Sequence, residues 1–491
     1  MGRRLGPLTA LSVLVAGHGV TGRAVARVLA TRAAQVVTLD AGDPDADLAS
    51  ISAEAVAGFD VVVASPGWPP TSQVFLDAAA AGVPVWSEVE LAWRLRVVSS
   101  RTGEPAPWLA LTGTNGKTTT VEMLLSVLEA DGRRAAAVGN VGRPIVEAAV
   151  DPEIEVLAVE LSSFQLHFTT SMSPLVGAVL NVAPDHLDWH GSLEAYATAK
   201  GRVFHAAQVA CVYNVADPVT ERLVRDADVV EGARAVGVTV GAPGRSELGL
   251  VEGVLCDRAF HLAADDPARH QSAAELGTLD DLAHLAGPDG SVPSHVVFDA
   301  LAAAAMVRAY GVEARAVRDG LRAFRPGAHR IATVAQVPAV DGDGTVAYVD
   351  DSKATNAHAA AASLGGFAPG TVVWVAGGLA KGATFDDLVR DRADRLRAVV
   401  LIGVDHQELR DALARHAAEV PVVEVDPGDT GTVMQRAVET AHQMARPGDT
   451  VLLAPACASM DQFVSYAARG DAFADQSRLL LGRGGDLDGQ P

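Results

Sequence analysis

The chain predicts an α/β fold of three domains, and three observations carry that prediction. Short apolar runs alternate with helical patterns along the 491 residues, the rhythm of parallel strands joined by crossover helices. Two of those runs end in glycine-rich turns that open a helix, at residues 17–22 and 113–118, as nucleotide-phosphate loops do. Two Pro/Gly breaks, at residues 99–107 and 325–327, divide the chain into segments 1–105, 106–327 and 328–491, each within the usual domain range.

The first segment reads as strand 12–16, helix 21–32, strand 36–39 and strand 61–64. Gly17-His18-Gly19-Val20-Thr21-Gly22 has the G-x-G-x-x-G form. Asp40 closes the second strand, where a Rossmann-like domain places a ribose-binding acid. The same turn accepts any pyrophosphate, so the residues leave open a dinucleotide, a nucleotide-diphosphate conjugate or a purely structural turn.

The central segment is P-loop ATPase-like. Residues 108–111 supply a strand, Thr112-Gly113-Thr114-Asn115-Gly116-Lys117 a loop, and Thr118 and Thr119 the start of a helix. Glycines let backbone N–H groups converge on phosphate oxygens, Lys117 neutralises β/γ charge and Thr118 offers a hydroxyl to Mg²⁺. Leu111 stands five residues before Gly116, where the Walker pattern has glycine, so the loop is a variant. Strands are expected at 156–161 and 176–181 and a helix at 193–204. Glu160 ends one strand, and His186 follows the other in Asp185-His186-Leu187-Asp188. An oxygen and an imidazole at strand ends suit the metal ions of phosphoryl transfer, although a structural role fits each residue taken alone. Lys200, on a helix, reads by sequence physics as a solvated surface lysine. Residues 241–293 are rich in Gly, Asp and Pro and are expected to be irregular, with helices following at 298–310 and 313–324.

The last segment alternates strands at 347–349, 372–376, 399–402 and 451–454 with helical stretches, a Rossmann-like, doubly wound pattern. Each of three strands runs into a loop rich in small and polar residues: Asp350-Asp351-Ser352-Lys353-Ala354-Thr355-Asn356, Gly377-Gly378-Leu379-Ala380-Lys381-Gly382, and residues 455–463. Lys381 on its glycine-lined loop suits a carboxylate-bearing substrate.

Composition narrows the function. Lys and Arg number 39 against 60 Asp and Glu, a formal charge of −21, which argues against a nucleic-acid surface. Cys211, Cys256 and Cys457 are too scattered for a disulfide framework or a zinc site, so a reducing cytoplasm is expected. No apolar run approaches the ~18 residues of a membrane span. The run at 11–16 ends in the glycine turn and reads as a strand, not a secretory leader.

Taken in order, the motifs resemble the Mur ligases of bacterial cell-wall synthesis, and within them the D-glutamate-adding branch. The resemblance rests on residues 113–118, Glu160-Leu161-Ser162-Ser163-Phe164-Gln165-Leu166, Asp185-His186-Leu187-Asp188, the Lys200 helix, His329-Arg330, residues 351–356 and residues 456–463. It covers essentially the whole chain. It implies a monomeric cytoplasmic enzyme that activates UDP-N-acetylmuramoyl-L-alanine with ATP as an acyl phosphate and joins it to D-glutamate. The first domain would then bind UDP through Val20, Thr21, Asp40 and Ser65, with Asn140, Ser162 and Gln165 near the muramoyl portion. ATP would lie on Gly113, Thr114, Asn115, Gly116, Lys117, Thr118 and Thr119, with Asp299, Arg330 and Asp351. Two Mg²⁺ ions would be held by Thr118, Glu160, His186 and a Lys200 carbamylated by CO₂, which reverses the surface-lysine reading. D-Glutamate would meet Thr355, Lys381, Ser459 and Phe463, and Lys117, Lys200, His186 and Arg330 would carry catalysis. The chain departs from the family pattern at Val296 and Asp299, where asparagine is usual, and in a longer spacing between Arg330 and Asp351, read as an extended hairpin turn at 340–344. A folylpolyglutamate-synthase-like ligase and a non-catalytic nucleotide-binding scaffold are the rival classes.

Overall fold

The computed structural model describes residues 8–263, 265–287 and 290–483. Three sheets succeed one another along the chain. The first is all parallel in the order β2-β1-β3-β4, built from β1 (Ser12–Ala16), β2 (Gln35–Leu39), β3 (Val61–Ala64) and β4 (Val85–Ser87). Val13, Leu14, Val15 and the run 61–63 are buried, because helices cover both faces of a parallel sheet.

The second sheet has nine strands in the order β13-β12-β11-β10-β9-β8-β5-β7-β6. Its parallel part comprises β5 (Trp108–Thr112), β6 (Ala135–Gly139), β7 (Val156–Glu160), β8 (Val176–Val179), β9 (Ala210–Asn214), β10 (Arg234–Val238) and β11 (Glu247–Val251). Two antiparallel strands, β12 (Val254–Asp257) and β13 (Ala274–Thr278), extend it. These strands correct the expectation that 241–293 is irregular. They are four or five residues long and separated by polar turns, too short for a two-residue period to emerge. Asp257 fixes the end of β12 by accepting from the Ala259 and Phe260 amides at 2.7 Å and pairing with Arg308 at 3.0 Å.

The break at 99–107 is also more ordered than a linker. Ser99 donates its amide to Glu104 O, and the Ser100 amide donates to Pro152 O at 2.7 Å, pinning the turn against the central sheet. One apolar core continues from the first sheet into the central one, with Trp93 and Trp108 meeting edge to face at 5.0 Å. The first two sheets therefore form one compact unit, made of residues up to 182, 189–282 and 296–324.

The second unit comprises residues 183–188, 283–295 and those from 325 onward. Its sheet runs β14-β15-β19-β16-β17-β18, with β14 (Ala332–Pro338), β15 (Thr345–Asp350), β16 (Val372–Gly377), β17 (Leu396–Ile402), β18 (Val422–Glu424) and β19 (Thr450–Leu453). All its pairings are parallel except the β14–β15 hairpin. The extended turn expected at 340–344 closes with the Ala339 amide on Gly344 O, with Gly342 at φ +86°. Among the described residues no helix is long and apolar enough to cross a membrane.

Candidate active site

The loop between β5 and the helix Lys117–Ala130 gathers several polar side chains of the first unit. Gly116 caps the helix at φ +80°, a conformation that disfavours any residue with a Cβ. An added Cβ there would also lie 2.4 Å from Asp299 Oδ1, so Asp299 packs against the loop backbone. Asn181 holds the loop from the next strand end: its side-chain oxygen accepts from the Asn115 amide at 2.8 Å, and its NH₂ donates to Asn115 O at 3.1 Å. Lys117 Nζ donates to the Gly113 and Thr114 carbonyls, both at 2.9 Å. Lys200 Nζ donates to the same Gly113 carbonyl at 2.8 Å and lies 4.4 Å from the Tyr196 ring centroid. Two cations thus converge on one loop oxygen. Lys200 is 1% exposed, which overturns the reading of it as a solvated surface residue; the helix Leu193–Gly201 turns this face inward.

Glu160 ends β7 beside this loop's strand and is 1% exposed. One carboxylate oxygen accepts from Asn140 Nδ2 at 2.9 Å, while Oε2 is buried with no hydrogen-bond partner. A buried, half-satisfied carboxylate is costly unless a cation completes it, so this donor suits Mg²⁺, as does the Thr118 hydroxyl at the helix start. Gly139 lets the neighbouring strand approach, since a Cβ there would meet Glu160 O at 2.1 Å. Ser162 and Gln165 form a capping box on the helix Ser163–His167. Gln165 is buried and spends its side chain inside the protein. Its oxygen accepts from the Ser162 amide and hydroxyl, and its NH₂ donates to Glu88 at 2.7 Å. His186, at φ +53°, belongs to the second unit, where its Nε2 is 3.6 Å from Asp185 Oδ2.

The turn after β1 is built differently. Gly17 sits at φ +97°, and a Cβ on Gly22 would fall 1.8 Å from Gly17 O, so helix Val20–Leu29 packs directly on the turn. Above Gly19 there is open space, and Val20 is exposed beside it. Asp40 accepts from the His18 amide at 2.8 Å and the Gly42 amide at 2.9 Å. Those two amides hold its carboxyl below the usual range. Ser65 donates to Gly17 O at 3.3 Å, and Thr21 lies in the helix's first turn.

In the second unit, three loops meet at the carboxyl ends of the strands. Leu379 and Ala458 exchange backbone hydrogen bonds of 2.9 and 3.0 Å, tying the Lys381 loop to residues 456–461. A cleft of 530 Å³ lies there, lined by Lys381, Phe385, His406, Cys457 and Asp461 among others, while Thr355, Ser459 and Phe463 lie outside its lining. Burial pushes the Asp351 carboxyl up to about 7, with Arg330 opposing the rise. His329, beside Arg330, is held by Asp350 at 2.6 Å.

Comparison with known proteins decides the family. The Mur ligase middle domain matches residues 111–241, and the Mur ligase glutamate ligase domain matches residues 329–457. A UDP-N-acetylmuramoylalanine–D-glutamate ligase of Streptomyces coelicolor is 55% identical over 95% of this chain and 98% of its own length. The chain belongs to the Mur ligase family. A Bifidobacterium adolescentis relative of the same name is 46% identical over 97% of this chain and 98% of that protein. Among solved structures, the UDP-N-acetylmuramate–alanine ligase of Thermotoga maritima shares the fold, with a TM-score of 0.54 at 17% identity over 97% of this chain and 99% of the other.

In this Mur ligase, residues that motif reading passes over also hold these loops. Tyr196 bridges the loop, donating to or accepting from Thr114 Oγ1 at 3.2 Å while its face meets Lys200. His190 bonds Ser163 at 2.9 Å and packs on Phe164 and Tyr196. Buried Arg469 donates to Ser352 Oγ, Ser352 O and Cys457 O, linking two of the strand-end loops. Tyr196 and His190 stand near the quoted motifs, and an aromatic beside a lysine motif was a readable cue. Arg469 lies in an ordinary helix pattern and gave none.

Proposed function

We propose that this Mur ligase joins D-glutamate to UDP-N-acetylmuramoyl-L-alanine, with conversion of ATP to ADP and phosphate. The carrying observation is the convergence of Lys117 and Lys200 on the loop carbonyl of Gly113; the names of its relatives, close to half identical or more, supply the substrates. Domains at 1–105, 106–327 and 328–491 would hold the UDP substrate, ATP and the amino acid respectively.

The diphosphate of UDP would rest over Gly19 at the helix start with Val20 and Thr21, where open space admits it and the N–H groups favour an anion. Asp40 and Ser65 hold that turn in shape. ATP phosphates would lie along 113–119, with Lys117 exchanging its loop carbonyls for phosphate oxygens. Asp299, Arg330 and Asp351 would complete the nucleotide site. Thr118, Glu160, His186 and Lys200, the last carbamylated when its ammonium loses two protons and its nitrogen adds CO₂, would hold two Mg²⁺ ions, which neutralise phosphate charge when bound. The buried, half-satisfied Glu160 supports that assignment.

An oxygen of the L-alanine carboxylate attacks the γ-phosphorus in line, and ADP leaves. The D-glutamate amine then attacks the acyl carbon, phosphate leaves and the nitrogen loses a proton. Lys117 and Arg330 act by position and charge, as phosphoryl transfer requires. Asn140 holds Glu160, and Ser162 and Gln165 shape the acceptor's end of the site. Thr355, Lys381, Ser459 and Phe463 would receive D-glutamate, Lys381 pairing with a carboxylate. The chain acts as a cytoplasmic monomer in this reading.

Phosphate release from ATP, measured with the UDP acceptor and with D-glutamate, L-glutamate, L-alanine or no amino acid, tests it. Release that needs both the acceptor and D-glutamate, with the amide product found by mass, is expected. Release with a folate acceptor instead would move the chain to the folylpolyglutamate class, and binding without turnover would make it a scaffold.

A further inference from the structure

Two glutamates two residues apart follow β4, and their surroundings differ. Glu90 is saturated: it accepts from the Thr170 and Ser171 amides at 2.8 Å, from Ser171 Oγ at 2.6 Å and from Arg94. That is a structural clamp between the first sheet and residues 165–171. Ser87 adds to it through Thr169 Oγ1 at 2.7 Å and through Phe168 O. Glu88 has one side-chain hydrogen bond. Its Oε1 accepts from Gln165 Nε2 at 2.7 Å, and its Oε2 is buried with no hydrogen-bond partner. It is 3% exposed, and burial pushes its carboxyl up to about 7. A group so placed adds little to stability, because a buried unsatisfied oxygen opposes folding.

What Glu88 adds is a second anchor for the Gln165 amide. The Ser162 backbone N–H can only donate and so draws the amide oxygen to its side, which leaves the NH₂ for Glu88 Oε1. The oxygen then takes both the Ser162 amide at 2.8 Å and the Ser162 hydroxyl at 2.9 Å. Ser162 is two residues beyond Glu160. We infer that Glu88 is a positioning residue that reaches from the helix Glu88–Leu95, which follows β4, through Gln165 and Ser162 to fix the strand end bearing Glu160. The inference rests on the proposed ligase reading, and it adds a link by which the UDP-binding domain sets the geometry of the phosphoryl-transfer site.

The test compares Glu88→Gln, which can still accept from Gln165, with Glu88→Met, which cannot and is similar in volume. Losing a group hydrogen-bonded directly to a metal ligand typically costs about 10–100-fold in activity, and Glu88, acting through Gln165 and Ser162, belongs at the lower end of that range. Glu88→Met should therefore lose about tenfold or more in kcat, with the KM for the UDP acceptor changed by less than about threefold, the pattern of an interaction that matters in the transition state. Glu88→Gln should stay within about threefold of the parent in kcat. Melting curves confirm that the folded protein is compared. If Glu88→Met does not fold, Glu88→Gln decides alone, and a tenfold fall in its kcat overturns the inference. So does a Glu88→Met protein with parental kcat. Absence of D-glutamate-dependent turnover in the parent would instead remove the ligase reading itself.

Discussion

The turn at 17–22 and the loop at 113–118 share a strand, glycines and a helix, yet they are finished in opposite ways. The first carries no lysine: Asp40 takes the His18 and Gly42 amides, Ser65 donates to the Gly17 carbonyl, and a half-exposed Arg23 donates to the His18 carbonyl at 2.8 Å. The second is drawn together by two lysines on Gly113 O and braced by Asn181. A diphosphate that is only held needs open backbone N–H groups. A triphosphate whose last bond breaks needs charge that can follow the reaction. In the proposed ligase reading, that difference separates a docking loop from a reacting one.

Replacing Lys117 with Ala should break the reacting loop most severely, lowering kcat by about 10³-fold while calorimetry finds the UDP acceptor still bound. Near-parental turnover would remove the phosphate role of that loop. Lys200→Arg keeps the charge but cannot become a carbamate, and should lower kcat by about 100-fold; added bicarbonate should not restore it. In the docking loop, Gly22→Ala drives a Cβ into Gly17 O and should destabilise the protein by about 2–4 kcal/mol, read from urea unfolding. Gly19→Ala sharpens the contrast. Gly19 has φ −71° and nothing near its Cβ position, so stability should hold while the acceptor's KM rises by about tenfold. An unchanged KM would place the diphosphate elsewhere.

The acids extend the comparison to pH. Asp40, held low by backbone amides, favours folding above the usual carboxylate pKa and loses that contribution as pH falls. Asp351, pushed up to about 7 by burial, has the opposite sign: the folded protein keeps a proton that the unfolded chain releases near pH 4, so its contribution falls as pH rises from about 4 to 7. Asp351→Asn should raise Tm more at pH 8 than at pH 5. Equal gains at both would show that the carboxyl ionises normally.

Much of the architecture was legible because its parallel strands are buried apolar runs, as at 12–16, 61–63 and 156–159, and because Gly17 and Gly116 mark turns that only a φ-permissive residue makes. The antiparallel strands between 247 and 278 were not legible, since four-residue strands broken by turns carry too little periodicity. Lys200 was misread by local physics: its helix has apolar and small residues on several sides, and nothing in nine residues says which face the sheet will cover. Asn140 and Gln165 were singled out only through family resemblance. Their contacts show them holding Glu160 and Ser162, which spacing cannot convey.

The sequence by itself determined the α/β plan, the two glycine loops and the Mur ligase family, because strand hydrophobicity, turn stereochemistry and ordered motifs are local properties of the chain. Only the tertiary structure decided that Lys200 is buried on the Gly113 carbonyl, that Glu160 keeps an unmet oxygen, and that Glu88 reaches Gln165 from 77 residues away. Burial and hydrogen-bond satisfaction are properties of what the fold brings together, and no local window contains them.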